Sequence, residues 1–155
     1  MSSHAQVHGL CYSQDMGVYN FFDHMADVGI EIKSHSAADL FLTAGQGLME
    51  WIGTAPSTSH MRESTVELAA EDADSLFVAW LQELLYRFYH LHLYFIGAST
   101  FELDLEGLRV RAILREKIWE ESSSFEYREV KAVTYHQLKI EWDDRGWRAS
   151  VILDV

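Results

Sequence analysis

The sequence predicts an α+β fold, a single domain of mostly antiparallel β-sheet strands with two main amphipathic helices packed on the sheet. Two stretches carry apolar residues at helical spacing, whereas several others alternate apolar and polar residues as strands do. The two kinds of stretch do not alternate strictly along the chain, which favours α+β over a parallel α/β sheet. The 155 residues, 48% of them hydrophobic, suffice for one domain with one core.

The folded domain is expected to span residues 19–155. Residues 1–18 are polar and lack periodicity, so we expect a flexible N-terminal tail that includes His4 and His8. Cys11 is the only cysteine, which excludes an internal disulfide and a thiolate zinc site. No signal peptide and no apolar run of membrane-spanning length is present, and we therefore expect a cytoplasmic protein.

The first predicted elements are a strand and a helix. Residues 28–33 (VGIEIK) alternate branched residues with glycine or charged residues, as in a half-buried strand. The helix covers SAADLFLTAGQGLMEWI, where Ser36 and Asp39 resemble a weak capping box and Gly53 marks the end. We expect this amphipathic helix to pack on the sheet.

A second strand and the longest helix are predicted next. The strand lies in RESTVELAAED, and Asp72 or Asp74 is placed to cap the helix SLFVAWLQELLYRFYH. The apolar residues of this helix form one wide stripe, and Glu83 and Arg87 have the spacing of an i,i+4 ion pair.

Two further strand predictions follow this helix, in LYFIGASTFELDLE and GLRVRAILRE. The second places Arg109, Arg111 and Arg115 on one face of the strand. Two interpretations are open for these arginines. They form either the solvated outer face of a strand or a basic stripe that contacts a partner.

The chain closes with a predicted hairpin. KAVTYHQLKIEW and WRASVILDV flank the turn DDRG. Alternation in the last strand puts Val151 and Leu153 on one face and Asp154 on the other.

The charge balance limits the classes of partner. Twenty-four acidic residues against twelve basic ones give a net charge of −12, and Lys33 is the only Lys or Arg among the first sixty-one residues. Proteins that bind nucleic acid tightly usually neutralise phosphates with clustered Lys and Arg. Direct, tight binding of RNA or DNA is therefore not expected, whereas a cation or a basic protein partner fits the acidic surface.

Carboxylates are crowded in DHMADVG, at the start of the first strand. Asp23, His24 and Asp27 lie within five residues of each other. Crowded carboxylates repel one another unless they are protonated, paired or bridged by a cation, and oxygen ligands favour Ca²⁺, Mg²⁺ or Mn²⁺. The alternative is an Asx turn with one capping aspartate.

Three further parts of the chain are candidates for chemistry. Asp154 and Val155 follow an apolar strand that would hold their oxygens at a fixed place, including an expected terminal carboxylate on Val155. Lys131 opens the KAVTYH strand, either as an edge lysine that discourages strand pairing or as a cation that contacts carboxylates, a phosphate or a partner. His90 and His92 have a spacing that zinc accepts, but ordinary helix-end histidines are the favoured interpretation.

Four segments together resemble the archease family. They are DHMADVG, WLQELLYRF, KAVTYHQLKIE and the final VILDV, and they occur in the family's order over residues 19–155. The resemblance implies an accessory protein that is not itself an enzyme. Archeases assist RtcB-type RNA ligases in tRNA splicing and RNA repair by promoting guanylylation of the ligase and its multiple turnover.

The same resemblance assigns roles to particular residues. It implies that Asp27, Asp154 and Val155 hold a divalent cation, most often calcium in this family, and that Lys131 takes part in activating the partner. Asp23 and His24 are weaker candidates for that role. Met25 stands where the family usually has threonine. Methionine has no hydroxyl, so a hydrogen bond that the threonine would make near the cation is expected to be missing.

Two functions from other classes stay open at this point. A metal-dependent hydrolase would use Asp27 and Asp154 to activate water, with His24 as the general base. A chaperone-like binding module would keep partner proteins soluble. Turnover of phosphoesters by the isolated protein favours the first, and protection of unrelated proteins from aggregation favours the second.

Overall fold

The computed structural model describes residues 6–7, 17–58, 60–121 and 125–155. In chain order the elements are β1 (Gln6–Val7), β2 (Val18–His24), β3 (Asp27–Ser34), α1 (Ala37–Ile52), β4 (Met61–Ala69), α2 (Ala73–Leu91), β5 (Leu93–Asp104), β6 (Arg109–Ile118), β7 (Ala132–Asp143) and β8 (Gly146–Asp154). The predicted α+β class is confirmed. The strands form two four-stranded antiparallel sheets, β1-β5-β6-β4 and β2-β3-β8-β7.

The N-terminal segment is described in part. Gln6–Val7 pairs with β5, and Val18 already belongs to β2. His4, His8 and Cys11 lie outside the described residues.

The helix α1 lies between the two sheets, because it contacts β3 in one and β5 in the other. Most of its residues are buried, more than for the amphipathic helix with one apolar face that was predicted, because a sheet lies on each side of it. Its first turn is capped as predicted, with the Asp39 amide donating to Ser36 Oγ at 3.1 Å. The helix ends before Gly53, whose amide donates to the Met49 carbonyl at 3.0 Å.

The helix α2 packs beside α1 and contacts β5 and β7. Asp72, one of the two predicted caps, accepts a 2.7 Å hydrogen bond from the Ser75 amide. Buried Trp80 donates from Nε1 to the Phe41 carbonyl at 2.7 Å and so joins the two helices. Neither these helices nor any other helix in the described ranges is long and apolar enough to cross a membrane.

A buried ion pair joins α2 to β6. Arg87 donates from Nε to Glu116 Oε2 at 2.8 Å and from Nη2 to Glu116 Oε1 at 2.9 Å. Glu116 is fully buried, and its hydrogen bonds to Arg87 raise the pKa of the guanidinium. The predicted Glu83–Arg87 pair is also present, but at 3.4 Å and with a single contact it is the weaker of the two.

Tyr94 ties the start of β5 to the end of α1. Its hydroxyl lies 2.6 Å from the Gly53 carbonyl oxygen and 3.2 Å from that of Met49, and it donates to these carbonyls at the helix end. Burial, with a smaller contribution from the charge of Glu50, raises the pKa of Tyr94 to about 12.

We expect the Tyr94 hydroxyl to make stability fall at high pH. The unfolded tyrosine loses its proton near its ordinary value of 10.0, whereas the folded one keeps it to about 12. The contribution is therefore complete below pH 10 and is lost as the pH rises towards 12. Urea unfolding at several pH values should show a steeper loss for the wild type than for Tyr94→Phe. The exposed Tyr135→Phe should keep the wild-type slope, and equal slopes for all three would contradict the prediction.

Candidate functional site

The DHMAD segment forms a tight hairpin between β2 and β3. His24 pairs with Asp27, so that Met25 and Ala26 are the two central residues of the turn. Met25 has a φ of 57°, the left-handed region that short hairpin turns commonly require. Its side chain is 96% exposed, so residue 25 points into solvent and is not packed against the Asp27 carboxylate.

The strand register brings Asp27 and Asp154 to the same end of the sheet. Val28 of β3 pairs with Leu153 of β8, and each aspartate is the next residue outward on its strand. Opposed residues of antiparallel strands have Cα atoms about 4.5–5.5 Å apart. The two aspartates are therefore neighbours, both half-buried, on the face opposite Val28 and Leu153.

Lys131 and Val155 lie at this same end. Ala132 pairs with Asp154, and the Lys131 amide donates to the Asp154 carbonyl at 2.7 Å. Half-buried Val155 directly follows Asp154. The lysine side chain is exposed, and within the described part of the chain its ammonium forms no salt bridge.

The other two candidates occupy opposite faces of β2. His24 pairs with Asp27 and shares its face, but exposed Asp23 pairs with Val28 and lies on the other face. His24 Nδ1 is buried and has no hydrogen-bond partner among the described residues. Asp27, Asp154 and His24 therefore share one face, and Asp23 stands apart from them.

A bulge in β7, absent from the sequence prediction, completes this end of the sheet. Thr134 pairs with Ile152 and Lys139 with Ser150, so residues 135–138 lie opposite a single residue of β8. Gln137, within the bulge, has a φ of 53°. His136 contacts His24, with ring centroids 5.4 Å apart and planes at 64°. A bulge that re-aims a side chain near a candidate site is typical of sheets.

The donor set suits a hard cation only in part. Asp27 and Asp154 supply carboxylate oxygens, which Ca²⁺ and Mg²⁺ prefer. Within the described ranges, however, no three His, Cys, Asp or Glu side chains are gathered into a metal-binding group. A cation held here would have to complete its coordination with main-chain oxygens and water.

The remaining sequence candidates have structural roles. His92 adopts the left-handed C-cap position of α2 and stacks on Trp119 at 4.4 Å, and the His90 ring lies 5.0 Å from that of Tyr86. The arginines of β6 each lie opposite a carboxylate in the register: Arg109 with Asp104, Arg111 with Glu67 and Glu102, and Arg115 with Glu63. These arrangements favour helix-end histidines and a solvated strand face.

Comparison with known proteins identifies the family. The archease protein family (MTH1598/TM1083) matches residues 19–155. The protein archease of Methanosarcina mazei is 34% identical over 140 residues, covering 88% of this chain and 95% of its own. That of Archaeoglobus fulgidus is 30% identical over 138 residues, covering 88% and 98%. The solution structure of Methanobacterium thermoautotrophicum protein 1598 superposes with a TM-score of 0.68 at 28% identity, covering 88% and 98%. The chain belongs to the archease family.

Proposed function

We propose that this protein is an accessory activator of an RtcB-type RNA ligase, not an enzyme, acting in tRNA splicing and RNA repair in the cytoplasm. It promotes guanylylation of the ligase and so permits multiple turnover. One observation carries the proposal beyond family membership. Three of the segments that resemble the family, distant in sequence, contribute Asp27, Lys131 and Asp154 to one end of one sheet.

The cation is part of the proposal. Asp27 and Asp154 would hold it through their carboxylates, with an oxygen of Val155 as a further ligand, and Ca²⁺ is the expected ion ahead of Mg²⁺ or Mn²⁺. A bound cation would relieve the repulsion between the two adjacent carboxylates and offset their negative charge at this end of the sheet. Lys131 adds a positive group at the same end of the sheet.

The charge of the chain supports action on the ligase. A net charge of −12 is unfavourable for binding RNA phosphates but is no obstacle to binding a protein. The activator shifts the ligase towards its guanylylation-competent state only to the extent that it binds that state more tightly than the other. A 100-fold difference in affinity corresponds to about 2.7 kcal/mol.

A multiple-turnover ligation assay tests this function. With ligase far below RNA ends, addition of this protein should raise the number of ligations per ligase molecule and the rate of guanylylation with GTP. No increase with any RtcB-type ligase from the same source would refute the proposal. Two further arms separate the alternatives: phosphoester hydrolysis by the protein alone, and protection of unrelated proteins from aggregation.

A further inference from the structure

A groove separates α2 from the start of β7. Its volume is about 220 Å³. The floor is apolar, formed by buried Leu85 and Val130 together with Ala132. Tyr86 and His90 line it on the helix side, one turn apart with ring centroids 5.0 Å from each other. An apolar floor with an exposed aromatic wall is typical of a pocket for one protein side chain.

Two donors at the rim of this groove have no acceptor partner among the described residues. Lys131 and exposed Gln82 line it, together with Tyr89. The Tyr89 hydroxyl accepts a 2.8 Å hydrogen bond from the Val130 amide, which leaves its own proton free to donate outward. The Lys131 ammonium forms no salt bridge with any described residue. A group that enters here meets an ammonium and a hydroxyl donor, which complement a carboxylate.

The groove adjoins the Asp27–Asp154 end. Lys131 lines the groove at the start of β7, and its amide donates to the Asp154 carbonyl at 2.7 Å. Ala132, which pairs with Asp154, belongs to both. The groove and the two aspartates therefore lie at one end of the same sheet, where one partner can contact both.

We propose that the groove between α2 and β7 is a docking site for a segment of the ligase that carries an apolar side chain next to a carboxylate. The inference rests on the proposed function and names the second contact of that complex. The apolar side chain lies on Leu85 and Val130 against Tyr86, and the carboxylate pairs with Lys131. Tyr86, 52% exposed in the free protein, would be covered on binding.

A protein carboxylate fits better than a nucleic acid. One lysine in a chain of net charge −12 cannot neutralise several phosphates, as binding of RNA requires. An apolar pocket for one side chain with one ion pair at its rim is ordinary in protein interfaces. Binding of the ligase should therefore weaken when the aromatic wall is removed, and it should depend on the sign of the charge at the rim.

The test measures the concentration of this protein that gives half-maximal stimulation of a cognate ligase. Tyr86→Ser should raise that concentration at least tenfold and leave the maximal stimulation unchanged. At Gln82 the direction should depend on charge: Gln82→Glu should raise the half-maximal concentration several-fold, and Gln82→Lys should lower it. Trp142→Ser, a similarly exposed aromatic on the distant β7–β8 hairpin, is the matched control and should behave as wild type.

The outcomes separate this inference from the proposed function. If Tyr86→Ser and both Gln82 variants keep the half-maximal concentration of the wild type, the groove is not a docking site. The proposed function is then unaffected. Absence of both stimulation and binding for the wild type overturns both. Binding of single-stranded RNA that Tyr86→Ser abolishes also overturns the inference, because the occupant is then a nucleic acid. Thermal unfolding of each variant checks that these exposed substitutions leave the fold intact.

Discussion

Replacing Glu116 with leucine should destabilise the protein by about 3–5 kcal/mol, the usual cost of breaking a buried ion pair from one side. The substitution leaves the Arg87 guanidinium buried with its two short hydrogen bonds to Glu116 removed. The remaining partner, Glu83, lies at 3.4 Å and is partly exposed, so it compensates little. The shift in the urea midpoint, with an unchanged m-value, measures the loss.

Two variants show whether the loss comes from the unpaired charge. The double substitution Arg87→Met with Glu116→Leu removes both charges and should be more stable than Glu116→Leu alone, because an apolar pair carries no desolvation cost. Glu83→Gln should cost less than about 1 kcal/mol. If Glu116→Leu falls in that same small range, or if the double variant is the least stable of the three, the buried pair does not stabilise the fold in this way.

The sequence contained a sign of this pair. In β6, Val110, Ala112 and Leu114 form the buried face, and Glu116 is the next residue of the same parity. An acidic residue on a buried face needs a buried partner, since an unpaired charge there is costly. The partner could not be named, because α2 and β6 are separated in sequence and only packing brings Arg87 to Glu116.

Local chemistry explains why the elements themselves were predictable. Ser36 and Asp72 cap helices because a short side-chain acceptor just before an apolar periodic run satisfies free amides, whatever the rest of the fold. The division of the strands into two sheets was not predictable in this way. It depends on α1 being buried against both β3 and β5, which amphipathic periodicity does not reveal.

The β7 bulge left a weaker sign. The buried Val133 has an odd number, whereas the apolar Leu138 and Ile140 have even numbers, although only alternate residues of a regular strand share a face. Such a switch within a strand indicates extra residues, since a shift by one residue exchanges the two faces. The contact between His24 and His136 that the bulge creates could not be predicted, because the two residues are far apart in sequence. By contrast, the placement of Asp27 beside Asp154 follows from the strand register once β3 and β8 are neighbours.

Replacing Asp154 with asparagine should abolish stimulation of the ligase while leaving the domain folded. The substitution preserves the shape of the side chain but removes one of the two charges proposed to hold the cation. Asp27→Asn should have the same effect, because the two aspartates are neighbours at the end of β3 and β8. Asp23→Asn is the matched control: Asp23 has the same charge in the same hairpin but lies on the other face, and its stimulation should stay close to wild type.

Thermal unfolding gives a second measure of the same site without any ligase. With Ca²⁺ at 100 times its dissociation constant, the wild type should gain about 2.7 kcal/mol of stability. Asp154→Asn and Asp27→Asn should gain almost none, and in chelator they should be at least as stable as the wild type, because a repulsion between neighbouring carboxylates is removed. A wild type indifferent to Ca²⁺, Mg²⁺ and Mn²⁺, combined with full stimulation by Asp154→Asn, would show that this end of the sheet is not where the protein acts. Loss of stimulation without a cation response would instead assign the two carboxylates a direct contact with the ligase.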